Sequence, residues 1–501
     1  MKAVYLFSYL LFSVYVYFVN CKPPNIVFIL TDDQDVNEGG SGIPIKKINE
    51  LIGEQGIVFK NSFVSSPLCC PSRSSLFTGK YLHNNHAINN SVAGGCSSPK
   101  WQKEEETNAF PVYLKKQGYT TFFAGKYLNQ YGSKLTGGPS HVPPGWDWWN
   151  GLIGNSRYYD YSISVNGTKV SHDNVYKTDY YTDVIHRSGM DFLKTQNENG
   201  DPFFMMLSTP ACHGPFTPAP QYKDVFSDLA APRDPIYNTH GVLKHWLVEN
   251  AITPMTNDTV ASIDTIFRNR WRTLLSVDDM VEDVMNTLQS KNLLGNTYVV
   301  FSSDNGFHMG QFSMPTDKRQ LYEFDIRVPL MIRGPGITPG QELDDMVINI
   351  DLAPTFIEMA GGTPGPQMDG LSLLPLLKNG GGKNNLNRTA ILIEHTGEYS
   401  EIVKGCPQYT GQRIGYCNPD CVCEDSWNNT YNCLRIMSDK LNYKYCHLLD
   451  LDNFVEVYNL DEDVWEVVNT VYSTPPTLLQ QLKSRLQDLV QCSGQTCNQT
   501  Y

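Results

Sequence analysis

The sequence predicts an α/β fold with a largely parallel sheet, followed by a smaller α+β unit at the C-terminus. Short apolar runs alternate with helical patterns up to about residue 378, as they do in βα units. Four of these runs each lead into polar residues, and they cover residues 25–30, 120–124, 203–208 and 297–303. Because open α/β sheets place their sites at the carboxyl ends of strands, we expect these polar residues to converge on one crevice.

The polar residues that follow the four runs combine carboxylates, an amide, a lysine and a histidine. In chain order they are Asp32, Asp33, Lys126, His213, Asp304 and Asn305. An Asp-Asp pair or an Asp-Asn-Gly turn alone is common in surface loops. Their joint position after four strands is what indicates a site.

Four further segments have helical spacing of apolar residues. They cover residues 44–53, 181–193, 274–288 and 476–490. Pro44 suits the start of the first and Gly53 its end. We interpret these apolar stripes as core-facing and give them no chemical role.

The Gly/Asn-rich stretch 379–387 is the predicted domain boundary. It divides the chain into a signal segment at 1–21, a catalytic domain at 22–378 and a C-terminal domain at 388–501. The last contains a cysteine cluster, a strand-like run at 454–460 and the terminal helix. We therefore expect a disulfide-rich α+β domain packed on the first.

The chain has 501 residues, a net charge of −13 and a pI near 5.3. This acidic balance argues against nucleic acid as a partner and against broad electrostatic binding of other polyanions. A protein that binds a polyanion would then need a local basic site.

The N-terminus resembles a secretory signal, with Lys2 followed by an apolar stretch from Ala3 to Val19. An uncleaved membrane anchor is the alternative, but the stretch is short for a full span. Because no later segment is long and apolar enough, we expect no stable membrane insertion. Candidate N-glycosylation sites, which fit passage through the secretory pathway, are Asn89, Asn166, Asn257, Asn387, Asn428 and Asn498.

Eight of the thirteen cysteines lie in the C-terminal region. They are Cys406, Cys417, Cys421, Cys423, Cys433, Cys446, Cys492 and Cys497. Their spacing lacks paired Cys-x-x-Cys knuckles, so we predict disulfides and not a zinc site, with the pairing left open. Of the other five, Cys21 ends the signal-like segment and Cys69 belongs to a motif considered below. Cys70, Cys96 and Cys212 are left over, and we expect at least one free thiol among them.

Residues 69–79 form the run Cys-Cys-Pro-Ser-Arg-Ser-Ser-Leu-Phe-Thr-Gly. Pro71 suits the first turn of a helix and Gly79 its end. Cys69 is then expected just before a helix N-terminus, where free N–H groups favour an anion, and Arg73 would point back at that anion. The alternative is an ordinary disulfide cysteine in a Ser-rich loop.

The Cys-x-Pro-Ser-Arg pattern, with Thr-Gly at its end, resembles the signature of the type I sulfatases of the alkaline-phosphatase superfamily. Other stretches that match the family lie at 31–35, 122–129, 318–325 and 419–425. The resemblance implies a large mixed, mostly parallel sheet sandwiched by helices, with a smaller C-terminal α+β domain.

In that family the signature cysteine is oxidised to formylglycine before folding. The resemblance therefore implies that Cys69 is the precursor of the nucleophile and that the formylglycine-generating enzyme is a partner during maturation. It also implies one Ca²⁺, a cation that prefers several oxygen ligands. The implied ligands are Asp32, Asp33, Asp304, Asn305 and the modified Cys69.

The family pattern assigns further roles in catalysis and substrate binding. Arg73, Lys80 and Lys126 would form a basic cradle, and His213 and Lys318 would bind sulfate or protonate the departing sugar oxygen. Lys80 has the alternative of a solvated residue near a helix end. We also expect His83, Asn129 and His308 in the substrate pocket. Many sulfatases have a histidine two positions after the matching lysine, where this chain has Leu128.

Within the family, the chain resembles enzymes that remove the 6-O-sulfate of N-acetylglucosamine from heparan and keratan sulfate in the lysosome. A homodimer is compatible with this resemblance. One alternative is an extracellular heparan 6-O-endosulfatase, although the long basic insert of those proteins has no counterpart here. The others are a metal-dependent phosphatase or phosphodiesterase, and an inactive glycosaminoglycan-binding glycoprotein.

Overall fold

The computed structural model describes residues 22–36, 43–379, 386–398 and 424–498. In these residues a ten-stranded sheet comes first in the chain and a four-stranded antiparallel sheet follows it. The predicted signal at 1–21 and the cysteines at 406, 417, 421 and 423 lie outside the described residues.

The large sheet has the strand order β10-β2-β9-β8-β1-β7-β3-β4-β5-β6. Its strands are β1 Asn25–Thr31, β2 Ile57–Phe63, β3 Thr120–Gly125, β4 Trp148–Leu152, β5 Tyr161–Val165, β6 Thr168–His172, β7 Phe203–Ser208, β8 Thr297–Ser303, β9 Leu330–Arg333 and β10 Gln341–Ile348. The five central strands, from β8 to β4, run parallel to one another. Only β5 and β9, among the described strands of this sheet, run against the rest. The predicted mixed, mostly parallel sheet is confirmed.

The described α-helices range from single turns to one long helix. They are α1 Lys46–Ile48, α2 Cys69–Thr78, α3 Leu82–Asn85, α4 Pro99–Glu104, α5 Phe110–Lys116, α6 Tyr176–Asp179, α7 Tyr181–Thr195, α8 Trp246–Glu249, α9 Asn257–Ser290, α10 Glu323–Ile326, α11 Leu352–Met359, α12 Leu374–Asn379 and α13 Pro476–Leu489. A π-helical segment, Asn49–Gly53, continues α1. In the part of the chain that the structure describes, no helix combines the length and apolarity needed to cross a bilayer.

Alternation along the central strands explains why the sheet is covered on both faces. In β1, Ile26, Phe28 and Leu30 contribute to one apolar cluster with α2, α5 and α11. Val27 and Ile29 point to the other face, into a cluster with α1, α7 and α9. Because successive side chains of a strand point to opposite faces, a continuous apolar run is what a doubly covered sheet requires.

The small sheet packs against the large one through a shared apolar core. Its strands are β11 Ala390–His395, β12 Tyr431–Met437, β13 Asn442–Leu448 and β14 Val455–Asn459. Side chains of this sheet and of α13 form one cluster with Phe63, Tyr322 and Phe324 of the large-sheet region. Residues 386–398 and 424–498, called the C-terminal unit below, therefore do not stand apart from the region that carries the predicted site.

The predicted helix at 274–288 is part of a helix more than twice as long. α9 begins at Asn257, where the Thr256 side chain accepts a hydrogen bond from the Thr259 N–H as an N-cap. Ile263, Phe267 and Trp271 extend the buried side of the helix toward its start. The apolar stripe was therefore correct, and its N-terminal half was missed.

Cys70 and Cys96 form a disulfide. Cys212 belongs to no disulfide of the described residues, which agrees with the expected thiol among the three. Two further disulfides, Cys433–Cys446 and Cys492–Cys497, lie in the C-terminal unit. Cys69 belongs to none of the disulfides of the described residues. The interpretation of Cys69 as an ordinary disulfide cysteine is therefore wrong.

We expect Cys70→Ser to lower the free energy of unfolding by about 3–4 kcal/mol, the chain-entropy value for a closed loop of this length. The bridge spans a sequence separation of 26 and anchors the start of α2. Thermal unfolding of Cys70→Ser and of the double variant Cys70→Ser/Cys96→Ser measures the effect. Wild-type thermal stability in both variants would contradict the pairing.

Candidate active site

Cys69 is the first residue of α2, whereas the sequence predicts it just before the helix. Leu68 is extended and occupies the N-cap position without a side-chain hydrogen bond, while Gly79 ends the helix with a φ of +68°. The Cys69 side chain is buried, with its Sγ 3.9 Å from Asp33 Oδ1. Burial raises the pKa of this thiol to about 11, which leaves little thiolate at neutral pH. An unmodified Cys69 would therefore be a poor nucleophile.

The acidic residues reach Cys69 from two neighbouring strands. β1 and β8 run parallel with Thr31 opposite Ser303, so Asp32-Asp33 and Asp304-Asn305 leave the same edge of the sheet. The Asp33 N–H donates to Asp304 Oδ1 at 2.9 Å, and Asn305 Nδ2 donates to Asp33 Oδ1 at 2.8 Å. The structure thus brings these four residues together, as expected from their strand positions.

Three buried cations face the three carboxylates. Lys126 Nζ lies 2.8 Å from Asp32 Oδ2, Arg73 Nε lies 2.7 Å from Asp304 Oδ2, and Lys318 Nζ binds Asp33 Oδ1. All six side chains are at most 5% exposed. These pairs place three positive formal charges beside three negative ones.

Burial and the neighbouring charges shift the pKa values of the acidic cluster in opposite directions. Burial alone would raise the pKa of Asp32, but Lys126, His213 and Arg73 outweigh it and hold that pKa well below the usual range. Asp304 goes the other way, since burial and the negative charge of Asp32 raise its pKa to about 6.

The cluster offers carboxylate and amide oxygens, which suit a hard cation, beside a thiol and an imidazole. Asp32, Asp33, Cys69 and His213 each offer a ligand atom, and these four atoms lie within 4.8 Å of one another. Asn305 Oδ1 is buried and accepts no hydrogen bond from any described residue. Carboxylate and amide oxygens are the ligands that Ca²⁺ and Mg²⁺ take in proteins. Asp304 is adjacent, with its two oxygens accepting hydrogen bonds from Asp33 and Arg73.

His213 comes to the cluster on the turn after β7. Its Nδ1 lies 2.7 Å from the Gly214 carbonyl oxygen, which can only accept, so Nδ1 carries a proton. Its Nε2 faces the cluster, 3.8 Å from Asp33 Oδ2. Burial lowers the pKa of His213 against the opposing charges of Asp33 and Asp32. The ring is therefore held with one nitrogen directed at the site.

Two residues expected in the site have partners elsewhere. Lys80 follows the end of α2, about 15 Å along the helix from Cys69, and its Nζ lies 2.7 Å from Glu105 Oε2. His83 joins α3 to the C-terminal unit, with Nδ1 3.0 Å from Glu394 and Nε2 2.9 Å from the Cys492 carbonyl. Lys80 is therefore not part of the basic cradle, and the expected role of His83 in the substrate pocket stays a prediction.

The other two expected substrate contacts are buried. His308 lies between Asp325 and Glu424, with no ring nitrogen left for a sugar hydroxyl. Its assignment as a substrate contact does not fit this geometry. Asn129 is 4% exposed, and its Oδ1 accepts no hydrogen bond from the described residues. It stays a prediction.

The six glycosylation candidates differ in exposure. Asn166, Asn257 and Asn387 are exposed, and Asn498 is half-buried. Asn89 and Asn428 are 8% and 4% exposed. Glycosylation remains a prediction at all six, with the geometry favouring the three exposed asparagines because a glycan needs surface access.

Several polar residues of the site were not found from sequence. Ser156 donates to Asp32 Oδ2, and Ser208 accepts from Arg73 Nη1 at 2.8 Å. Arg270 of α9 donates to the Asp33 carbonyl at 2.5 Å. No sequence motif marks the two serines. Arg270 could have been found, because it lies in line with the apolar stripe of a helix and a buried arginine needs charged or polar partners.

The family model described as Sulfatase matches residues 24–362. N-acetylglucosamine-6-sulfatases of Capra hircus and Homo sapiens are each 50% identical over 480 residues, which is 95% of this chain and 85% or 86% of theirs. An extracellular sulfatase SULF-1 homolog of Drosophila melanogaster is 42% identical over 360 residues, covering 71% of this chain but 31% of that protein.

Solved structures agree with the fold. A structure of BT4656 in complex with its substrate D-glucosamine-2-N,6-O-disulfate aligns with a TM-score of 0.75 at 22% identity, covering 95% of this chain and 98% of that one. The family implies a metal ion and a formylglycine, in keeping with the oxygen-rich cluster at Cys69. The chain belongs to the sulfatase family, and it is a sulfuric ester hydrolase.

Proposed function

We propose that the protein hydrolyses the 6-O-sulfate ester of N-acetylglucosamine 6-sulfate units in heparan sulfate and keratan sulfate. The observation that carries the proposal is the cluster in which Cys69, three carboxylates and three buried cations meet at one sheet edge. The substrate class follows from the 50% identity to curated N-acetylglucosamine-6-sulfatases over nearly the whole chain.

The proposed nucleophile is formylglycine, made from Cys69 by the formylglycine-generating enzyme. The hydrated aldehyde supplies one hydroxyl that attacks sulfur and a second whose deprotonation releases sulfate, which splits a hard hydrolysis into two easier steps. The chain fixes this position rigidly, because Cys69 lies at the start of a buried helix and is followed by the disulfide-bonded Cys70.

The sulfate group would bind at the start of α2, where backbone N–H groups and the helix dipole favour an anion. Arg73, Lys126 and Lys318 supply the charge around that point. These cations are paired with carboxylates in the structure. A divalent cation that takes over the carboxylates would therefore leave positive charge available for the anion.

We propose Ca²⁺ as that cation, held by Asp32, Asp33, Asp304, Asn305 and the modified Cys69. When bound, it would polarise a sulfate oxygen.

Removing metal with a chelator should lower the rate of sulfate release by about 10²-fold or more, given several kcal/mol of Lewis-acid stabilisation. Ca²⁺ should restore the rate better than equal Mg²⁺, and full activity of a verified metal-free protein would contradict the assignment.

His213 is the proposed proton donor to the departing sugar oxygen. The Gly214 carbonyl fixes its Nδ1 proton, so Nε2 is the nitrogen that can pick up and deliver a proton at the site. Asn129, with an unpaired buried Oδ1 in the described part of the chain, is proposed to orient the substrate.

The proposed route is delivery to the lysosome through the secretory pathway, with secretion as a second destination. The signal-like N-terminus, the N-glycosylation candidates and the disulfides support it. We also propose a catalytic domain at 22–378 and a C-terminal domain at 388–501. We further propose a homodimer, which sedimentation would test.

Two substrates separate the exo-acting enzyme from its rivals. Sulfate should be released from a terminal N-acetylglucosamine 6-sulfate at the non-reducing end of a short oligosaccharide, and not from the same unit placed internally. Release from internal units would favour the endosulfatase. Binding of the oligosaccharide without any sulfate release would favour an inactive glycosaminoglycan-binding protein.

A further inference from the structure

The segment that carries Lys318 folds back against the chain that follows β8. The His308 N–H donates to the Asp317 carbonyl at 2.8 Å, and these two residues form an antiparallel bridge. His308 thus lies opposite the residue that precedes Lys318. The position of the histidine sets the position of the lysine backbone.

Both ring nitrogens of His308 meet carboxylates in a fully buried setting. Nδ1 lies 3.0 Å from Asp325 Oδ2, and Nε2 lies 3.1 Å from Glu424 Oε1. Burial opposes a charge on this ring, but Glu424 and Asp325 outweigh it and raise the pKa of His308 well above its usual range. A doubly protonated ring can donate to both carboxylates at once.

An ion-pair bridge fits these contacts better than a metal centre. The two carboxylates approach different nitrogens of one imidazole, on different sides of the ring. A metal ion uses one nitrogen of a histidine and gathers its other ligands around that nitrogen. The arrangement is therefore a buried chain of three titratable groups in direct contact: Glu424, His308 and Asp325.

Asp325 connects this chain to the other side of Lys318. Its Oδ2 accepts a hydrogen bond from the Gln320 N–H at 2.8 Å. Lys318 is thus bracketed, with His308 holding the residue before it and Asp325 holding the second residue after it. Between them Arg319 has a φ of +90°, a conformation that a side-chain-bearing residue keeps only under restraint from its surroundings.

We propose that Glu424 of the C-terminal unit is a positioning residue for Lys318. Its carboxyl group contacts His308 Nε2 while Asp325 contacts Nδ1, and the bridge from His308 to Asp317 fixes the strained turn that directs Lys318 Nζ to Asp33. The proposal rests on the proposed function, since it gives Lys318 a place in the sulfate site. It makes a residue of the C-terminal unit necessary for the geometry of a catalytic lysine that lies 106 positions earlier in the chain.

The test is Glu424→Gln, which keeps the shape of the side chain and removes its charge. The matched control is Asp450→Asn, because Asp450 Oδ2 accepts from the buried His245 Nε2 at 2.9 Å, in the same C-terminal unit but outside the Lys318 network. Asp325→Asn weakens the contact at the other ring nitrogen of His308. It is the variant to test if Glu424→Gln does not fold.

We expect Glu424→Gln to lower kcat about 10–100-fold, the usual effect of losing a partner that orients a functional group, with a much smaller change in KM. Hydrogen exchange of a peptide covering 314–322 should become faster, because the restraint on the Gln320 amide is weakened. Asp450→Asn should leave both kcat and this exchange at their wild-type values.

Wild-type exchange at 314–322 in Glu424→Gln would overturn the proposal, and so would an equal increase in Asp450→Asn. A wild-type protein that releases no sulfate would instead defeat the proposed function. The exchange measurement does not depend on turnover, so the two failures remain distinguishable.

Discussion

Replacing Cys69 by serine is expected to give a folded protein whose rate of sulfate release is ~10⁴-fold or more below wild type, as for other lost nucleophiles. Serine differs from cysteine by one atom and fits the buried start of α2, so folding should survive. It has a single hydroxyl, so a sulfate ester formed on it would have no second hydroxyl to expel the sulfate. Steady-state sulfate release and thermal unfolding on the same preparation measure the two effects.

The double variant Cys70→Ser/Cys96→Ser is the matched control for Cys69→Ser. It carries the same exchange at the neighbouring position and removes the whole disulfide, leaving Cys69 in place. We expect it to be less stable but active at temperatures where it is folded. Equal loss of activity in two folded variants would contradict the assignment of Cys69 as the precursor of the nucleophile.

Lys126→Met is expected to lower the free energy of unfolding of the metal-free protein by about 3–5 kcal/mol, as when one partner of a buried ion pair is removed. Lys126 and Asp32 are both 0% exposed, and Lys126 Nζ lies within 3.0 Å of both carboxylate oxygens. Without the lysine, Asp32 keeps a buried charge that Arg73, 3.6 Å away, only partly compensates. Chemical denaturation measures the loss.

Two comparisons test the cause of that loss. Lys115→Met removes a lysine whose ion pair with Asp147 is about one-third exposed or more on each side, and exposed pairs contribute about 0–1 kcal/mol. Saturating Ca²⁺ should reduce the deficit of Lys126→Met, since the cation would replace positive charge beside Asp32. A deficit no larger than that of Lys115→Met, or one that Ca²⁺ leaves unchanged, would contradict this account.

The fold and the centre of the site were accessible from sequence because their signals are local. β7 and β8 have the predicted bounds, and β1 and β3 each extend one residue further, since strands buried on both faces appear as unbroken apolar runs. Parallel strands then bring the residues after them to one edge. This rule alone placed Asp32, Lys126 and Asp304 together.

The surroundings of the site could not be predicted because their partners are distant in the chain. The sequence shows a histidine at position 308. It does not show that Glu424, 116 residues later, contacts the Nε2 atom of that histidine. His83 likewise meets Glu394 across 311 residues. The predicted role of Lys80 in the basic cradle fails for a local reason, because helix α2 places this residue a full helix length away from Cys69.

The most direct test of the central claim is mass spectrometry of the reduced tryptic peptide 61–73 from protein made in a secretory eukaryotic cell. The account predicts a mass deficit at Cys69 equal to the conversion of a thiol to an aldehyde, with Cys70 recovered as an ordinary cysteine. An unmodified thiol at Cys69 in protein that releases sulfate would contradict it.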